Sequence, residues 1–162
     1  MRHIISVLTE HKHGVLARIS GLFSARGFNI ESLSVAPMNG DGLSNMIIVV
    51  NGDDLVLEQV TKQLNKLIDV IKVQDLTGKS FIDRELALLK INSTKSTRPE
   101  IMQIVNIFKA KIVDISPRTV TVEATGSEAK IQAIIGMLKP FGIKEEVRTG
   151  KIAMSREFGG RV

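Results

Sequence analysis

Three histidines, His3, His11 and His13, are the side chains of this sequence best suited to metal or proton-transfer chemistry. His11 and His13 flank Lys12, and with His3 or Glu10 they offer imidazole and carboxylate ligands to a divalent ion. The Lys12 cation between them opposes such an ion, so no metal is expected. There is no Ser-His-Asp set, HExxH helix or Walker-type glycine loop. The chain also has no cysteine, which excludes thiolate nucleophiles, Cys-ligated zinc and disulfides. No catalytic residue is therefore assigned, and binding is the expected activity.

The binding chemistry centres on Gly14 and Asn29. Gly14 precedes an apolar stripe of helical period, so it falls at a helix N-terminus, where the missing side chain lets a ligand approach the backbone. The N–H groups of Val15 and Leu16 then face an anion, and the helix dipole favours it by about 0.3–1 kcal/mol. A carboxylate suits such a place. Asn29 supplies both a donor and an acceptor for the α-amino and carboxylate groups of an amino acid. Ile30 and Leu33 can bury an aliphatic side chain, worth roughly 1.5–3 kcal/mol. Taken singly, a turn glycine and a strand-start asparagine are the simpler readings of the two residues.

The elements that must position them follow from periodicity. His3 to Thr9 alternates as a strand, and Val15, Leu16, Ile19, Leu22 and Phe23 form the stripe of a helix over 14–26 that ends at Gly27. Phe28 to Pro37 is a strand whose alternation changes phase between Ile30 and Leu33, which predicts a bulge. A turn-rich stretch leads to the apolar strand Ser44 to Val50. Asp53 or Asp54 caps a helix bearing Val56, Val60, Leu64 and Leu67, and Val70 to Leu76 is a last strand. The pattern then repeats: Glu85 to Ile91, a helix with Thr97 and Glu100 as a capping box, strands 112–116 and 119–125, a helix over 127–138 stopped by Pro140, and a strand from Ile143 to Arg148. The fold class is α+β, two tandem ferredoxin-like β-α-β-β-α-β domains at 1–76 and 84–162 joined by a linker at 77–83.

Charge separates the two halves. Residues 1–76 carry 7 Lys and Arg against 8 Asp and Glu, whereas residues 77–162 carry 15 against 9. An acidic partner for the second half or a plain solvated surface both fit that excess. An RNA-binding sheet would stack bases on strand aromatics, and strands 3–9 and 44–50 have none. The first strand is apolar on both faces and 46–50 is continuously apolar, so the sheet face away from the helices is expected against a second chain or beneath the second domain. No targeting segment or membrane-length apolar run is visible, and a cytoplasmic protein is expected.

The run from Gly14-Val15-Leu16-Ala17-Arg18-Ile19 through Leu22 to Leu33 resembles the acetolactate synthase (acetohydroxyacid synthase) small-subunit family. The likeness continues at Ala36-Pro37, Leu57-Glu58-Gln59-Val60, Arg84-Glu85-Leu86-Ala87-Leu88 and Arg148-Thr149-Gly150. The resemblance implies an N-terminal ACT domain that pairs with its copy in a homodimer. It also implies that valine, or another branched-chain amino acid, binds where the two meet, with His11, Gly14, Val15, Leu16, Asn29 and Ile30 as the site residues. The turn near 14 would come from one chain and Asn29 from the other. The family's role is to activate a large catalytic subunit and impose feedback inhibition on it. Thiamine diphosphate, Mg2+ and FAD belong to that subunit, and no cofactor is expected in this chain. The second domain is the expected contact with that subunit, with Arg84, Arg148 and Arg156 as candidates. A free-standing ACT protein that regulates a different enzyme is the alternative. Where relatives commonly have Asn, this chain has His11, which is expected to alter valine affinity or make it depend on pH.

Overall fold

Period-two alternation in the first half produces a sheet with one face turned to two helices. In the computed structural model, whose described residues are 1–157, the first elements are β1 (Arg2–Glu10), α1 (Val15–Ala25), β2 (Ile30–Pro37), β3 (Leu43–Asn51), α2 (Asp54–Leu64) and β4 (Val70–Asp75). The strands lie in the order β2-β3-β1-β4, each pair antiparallel. Ile5, Val7, Ile48 and Val50 meet Val15, Ile19 and Phe23 of α1 and Val60 and Leu64 of α2 in one core. The phase change in β2 is a register shift between Ile30 and Ser32, which returns Leu33 to the core side. Asp53 is the cap of α2, accepting from the Val56 N–H at 2.8 Å.

The second half repeats this arrangement with β5 (Phe81–Asn92), α3 (Arg98–Ile107), β6 (Lys111–Ile115), β7 (Thr119–Gly126), α4 (Glu128–Leu138), a 3-10 turn at Lys139–Phe141 and β8 (Ile143–Arg148). Its order β6-β7-β5-β8 reproduces that of the first sheet, and β9 (Ile152–Ser155) pairs with β5 off that path. Leu89, Ile91, Val120 and Val122 pack on Ile101, Ile131 and Leu138 in a separate core. No helix among the described residues is long and apolar enough to cross a membrane.

Three local features differ from expectation. Thr97 does not make a capping box: it takes up helical angles (φ −88°, ψ −20°) and its hydroxyl accepts from the Thr94 N–H at 2.9 Å instead. The following Pro99 has no N–H to be capped. The expected linker is already strand at Phe81. The chain also divides differently, into Met1–Ile82 with the residues from Lys151 onward, and Asp83–Gly150. Strand β9 had no counterpart in the periodicity, and it belongs to the first unit; residues 158–162 of the expected second domain lie outside the described residues.

That returning strand changes the account of the sheet's outer face. Ile4, Ile47, Val49 and Leu76 form a second buried cluster there, against which Phe81 and Ala153 pack. The apolar outer-face residues that pointed to a second chain thus have cover within their own unit.

Candidate functional site

Where β1 runs into α1, an open cavity of about 200 Å³ is lined by Thr9, Glu10, His11, Lys12, Val15, Leu16, Val35, Ala36, Pro37, Ser44 and Met46. The turn that forms its rim is tied to β3 by His11, whose N–H donates to Gly42 O at 2.7 Å and whose Nδ1 lies 2.7 Å from Ser44 Oγ. Ser44 itself is buried opposite Thr9 in the β1–β3 register. Val15 and Met46 are buried, whereas Leu16 and Val35 are about two-fifths exposed and form an unfilled apolar wall.

Gly14 turns the chain into α1 with φ +79°, a left-handed conformation that a side chain disfavours. It provides no side-chain cap, the first turn has no acidic residue, and the first helical bond is Arg18 N–H to Gly14 O at 2.9 Å. The N–H groups of Val15 and Leu16 therefore precede the helical ladder, at the positive end of the dipole. The neighbouring cations are each held by a carboxylate: Lys12 pairs with Glu10 and Arg18 with Asp69. The hydrogen bond to Glu10, and then its charge, raise the Lys12 pKa above the ordinary lysine value, so this ammonium stays charged at neutral pH. A bare helix start beside an apolar wall accommodates a small molecule with a carboxylate and an aliphatic side chain.

The structure brings His11, Val15 and Leu16 together in the cavity and sets Gly14 beside it. Asn29 and Ile30 are elsewhere in the same chain. Ile30 begins β2 opposite Val50, while Pro37, at the cavity, ends β2 opposite Ser44. Seven residue-to-residue steps separate those ends, about 23 Å at ~3.3 Å per step. Asn29 is exposed and Ile30 packs against the helix-facing core. The histidines are likewise apart: His3 is buried at the other end of β1, with Nε2 3.1 Å from Gly52 O. Thr9, Val35, Ser44 and Met46 also line the cavity and were missed by sequence reasoning; the pairings of β1 and β2 with β3 that gather them are long-range facts. In the second unit Arg148 is occupied internally, by Glu85.

Residues 5–72 match a family model described as an AHAS small subunit-like ACT domain, and residues 84–157 match one described as the small subunit of acetolactate synthase. A probable acetolactate synthase small subunit of Methanothermobacter thermautotrophicus is 55% identical over 155 residues, covering 95% of this chain and 92% of that protein. The acetolactate synthase small subunit of Aquifex aeolicus is 54% identical over 157 residues, covering 96% and 82%. The crystal structure of the acetolactate synthase small subunit from Thermotoga maritima aligns with a TM-score of 0.89 at 39% identity, over 96% of this chain and 98% of that one. Matched in both halves and along nearly its whole length, the chain belongs to the acetolactate synthase small-subunit family, and its first unit contains the ACT domain.

Proposed function

We propose that the chain is the regulatory subunit of an acetolactate synthase: it raises the activity of a separate large catalytic subunit and makes that activity sensitive to valine or another branched-chain amino acid. The observation that carries this reading is the position of β2. It is an edge strand of the first sheet, with the cavity at its C-terminal end and Asn29 just before its N-terminal end. Two copies that pair β2 with β2 about a two-fold axis run antiparallel, so the start of one strand lies beside the end of the other. Asn29 and Ile30 of one copy then meet His11, Gly14, Val15 and Leu16 of its partner. The helix start takes the carboxylate, Asn29 the polar head and the wall of Leu16 and Val35 the aliphatic side chain. Regulation is then a coupling free energy of about 1–3 kcal/mol between effector and catalytic subunit. The second domain, which carries the chain's positive excess, is the proposed contact with that subunit. Thiamine diphosphate, Mg2+ and FAD are assigned to the catalytic subunit and none to this chain.

A site shared between chains has a distinctive test. The Gly14→Asp and Asn29→Ala chains should each lose valine binding in isothermal titration. Co-expressed, they form mixed dimers in which one of two sites is built from unaltered residues, and binding should return. If the mixture stays silent while the unaltered chain binds valine, the two-chain site is wrong. If the unaltered chain neither binds a branched-chain amino acid nor changes the activity of the catalytic subunit, the whole reading fails.

A further inference from the structure

The chain leaves its second unit at Gly150 and re-enters the first at Lys151. On the outgoing side it is fastened to β5: Arg148 binds Glu85 through Nε and Nη2, Thr149 N–H donates to Leu86 O at 3.0 Å, and Leu86 N–H donates to Thr149 Oγ1 at 3.1 Å. Gly150 then turns with φ +73°. On the incoming side the first attachment is to β2, where the Lys151 N–H donates to Ser32 Oγ at 3.1 Å. Strand β9 follows, with Ala153 against the cluster of Ile4, Ile47 and Val49, and the Arg156 N–H on Ser80 O at 3.0 Å. Only Thr149 and Gly150 therefore separate Arg148, which pairs with the buried Glu85 of the second unit, from the Lys151 N–H that bonds the edge strand of the first.

Ser32 has a particular place on that strand. It is the residue at which β2 resumes its register with β3 after the shift that follows Ile30. A bulge bends a strand and strengthens its twist locally, so a ligand that engages Asn29 and Ile30 acts beside that bend. We infer that the Ser32–Lys151 hydrogen bond is a transmission point, through which effector binding at the start of β2 is passed to the second unit along the Gly150 turn. Ser32 is thus a positioning residue for regulation and makes no contact with the effector. This inference rests on the function proposed above, because it supposes an effector at Asn29.

The test uses the complete chain reconstituted with its catalytic subunit. Ser32→Ala removes the acceptor, and Lys151→Pro removes the donor. Ser32→Thr keeps the hydroxyl, and Lys151→Ala keeps the backbone N–H while discarding the side chain. Valine affinity is measured by titration, and inhibition is measured at saturating valine. In Ser32→Ala and Lys151→Pro the affinity should stay within about twofold while the inhibition, about five- to hundredfold for a typical coupling, falls below about twofold. Ser32→Thr and Lys151→Ala should behave as the unaltered chain does. Full inhibition in Ser32→Ala overturns the inference alone. Loss of valine binding in Ser32→Ala also overturns it, since Ser32 would then belong to the binding site. An unaltered complex that does not respond to valine overturns the inference together with the proposed function.

Discussion

Arg148 holds Glu85 through both carboxylate oxygens, Nε to Oε1 at 2.6 Å and Nη2 to Oε2 at 3.0 Å, although Glu85 is only 5% exposed. A carboxylate removed from water needs such a partner, and the planar guanidinium fork supplies two bonds from one group. The hydrogen bond to Glu85 raises the Arg148 pKa above the ordinary arginine value against an opposing contribution from burial. Arg148→Ala should strand the buried carboxylate and cost about 3 kcal/mol. For a chain of this size that lowers the melting temperature by roughly 6–12 °C. Arg148→Lys should recover only part of the loss, because an ammonium cannot reproduce the fork. Thermal unfolding of the three proteins checks this, and equal melting temperatures would show that the pair does not matter to stability.

The contrast with Lys90 and Glu145 is instructive, because that pair sits at the surface of the same sheet. Lys90 Nζ donates to Glu145 Oε2 at 2.6 Å. This bond, and then the attraction between the charges, lower the Glu145 pKa and raise that of Lys90. A lowered acid contributes stability above its unfolded pKa and loses it as pH falls through the folded value. A raised base contributes below its unfolded pKa and loses it as pH rises through the folded value. The pair therefore helps most between about pH 5 and 10 and fades on either side. Water and salt screen both groups, so Lys90→Gln should move the neutral-pH melting temperature far less than Arg148→Ala does. Melts with and without about 1 M salt should bring even that difference to nothing, since the screening length is then about 3 Å.

How much of this was legible in the sequence depends on the range of the interaction that decides each feature. Alternation at Ile5 and Val7 and the phase change between Ile30 and Leu33 are local, and both reappear as the core face of β1 and the register shift of β2. Thr97 carried the right local pattern, yet its hydroxyl accepts from the Thr94 N–H instead of the helix. Strand β9 was invisible because what holds it is distant in sequence: Ala153 packs on the cluster of Ile4, Ile47, Val49 and Leu76, and just past the strand the Arg156 N–H finds Ser80 O. Gly14, Val15 and Leu16 could be placed at a helix start from spacing alone. Ser44 entered the cavity only through its register with Thr9, and Asn29 lies at the end of β2 away from the cavity.

His11 makes a prediction of its own because its ring lines the cavity and its Nδ1 is tied to Ser44 Oγ. That contact fixes the turn at the rim of the cavity against β3. His11→Ala should therefore weaken valine binding roughly fivefold, the loss of a hydrogen bond worth about 1 kcal/mol. His11→Asn keeps a polar side chain that can reach the Ser44 hydroxyl and should retain most of the affinity. Isothermal titration of the three proteins decides the matter; equal affinities in all three would show that the His11 side chain does not serve the site.

Ala153 offers the most direct test of why the chain returns to its first unit. Its side chain packs against the cluster of Ile4, Ile47, Val49 and Leu76, beside Phe81. A carboxylate placed there finds an apolar surface, and burying a lone charge costs more than a four-residue strand can recover by docking. Ala153→Asp should thus release β9 rather than unfold the sheet, because the helix-facing core around Ile5, Ile48 and Phe23 is a separate cluster. The cost is limited to the free energy of docking β9, and local opening of this kind increases protease access without global unfolding. Trypsin should cut after Lys151 at least about tenfold faster in Ala153→Asp, the ratio expected if the docked state loses about 1.4 kcal/mol or more. Far-ultraviolet dichroism should change little. Unchanged cleavage after Lys151 would mean that the hydrogen bonds of Lys151 and Arg156, not the apolar contact of Ala153, hold the strand in place.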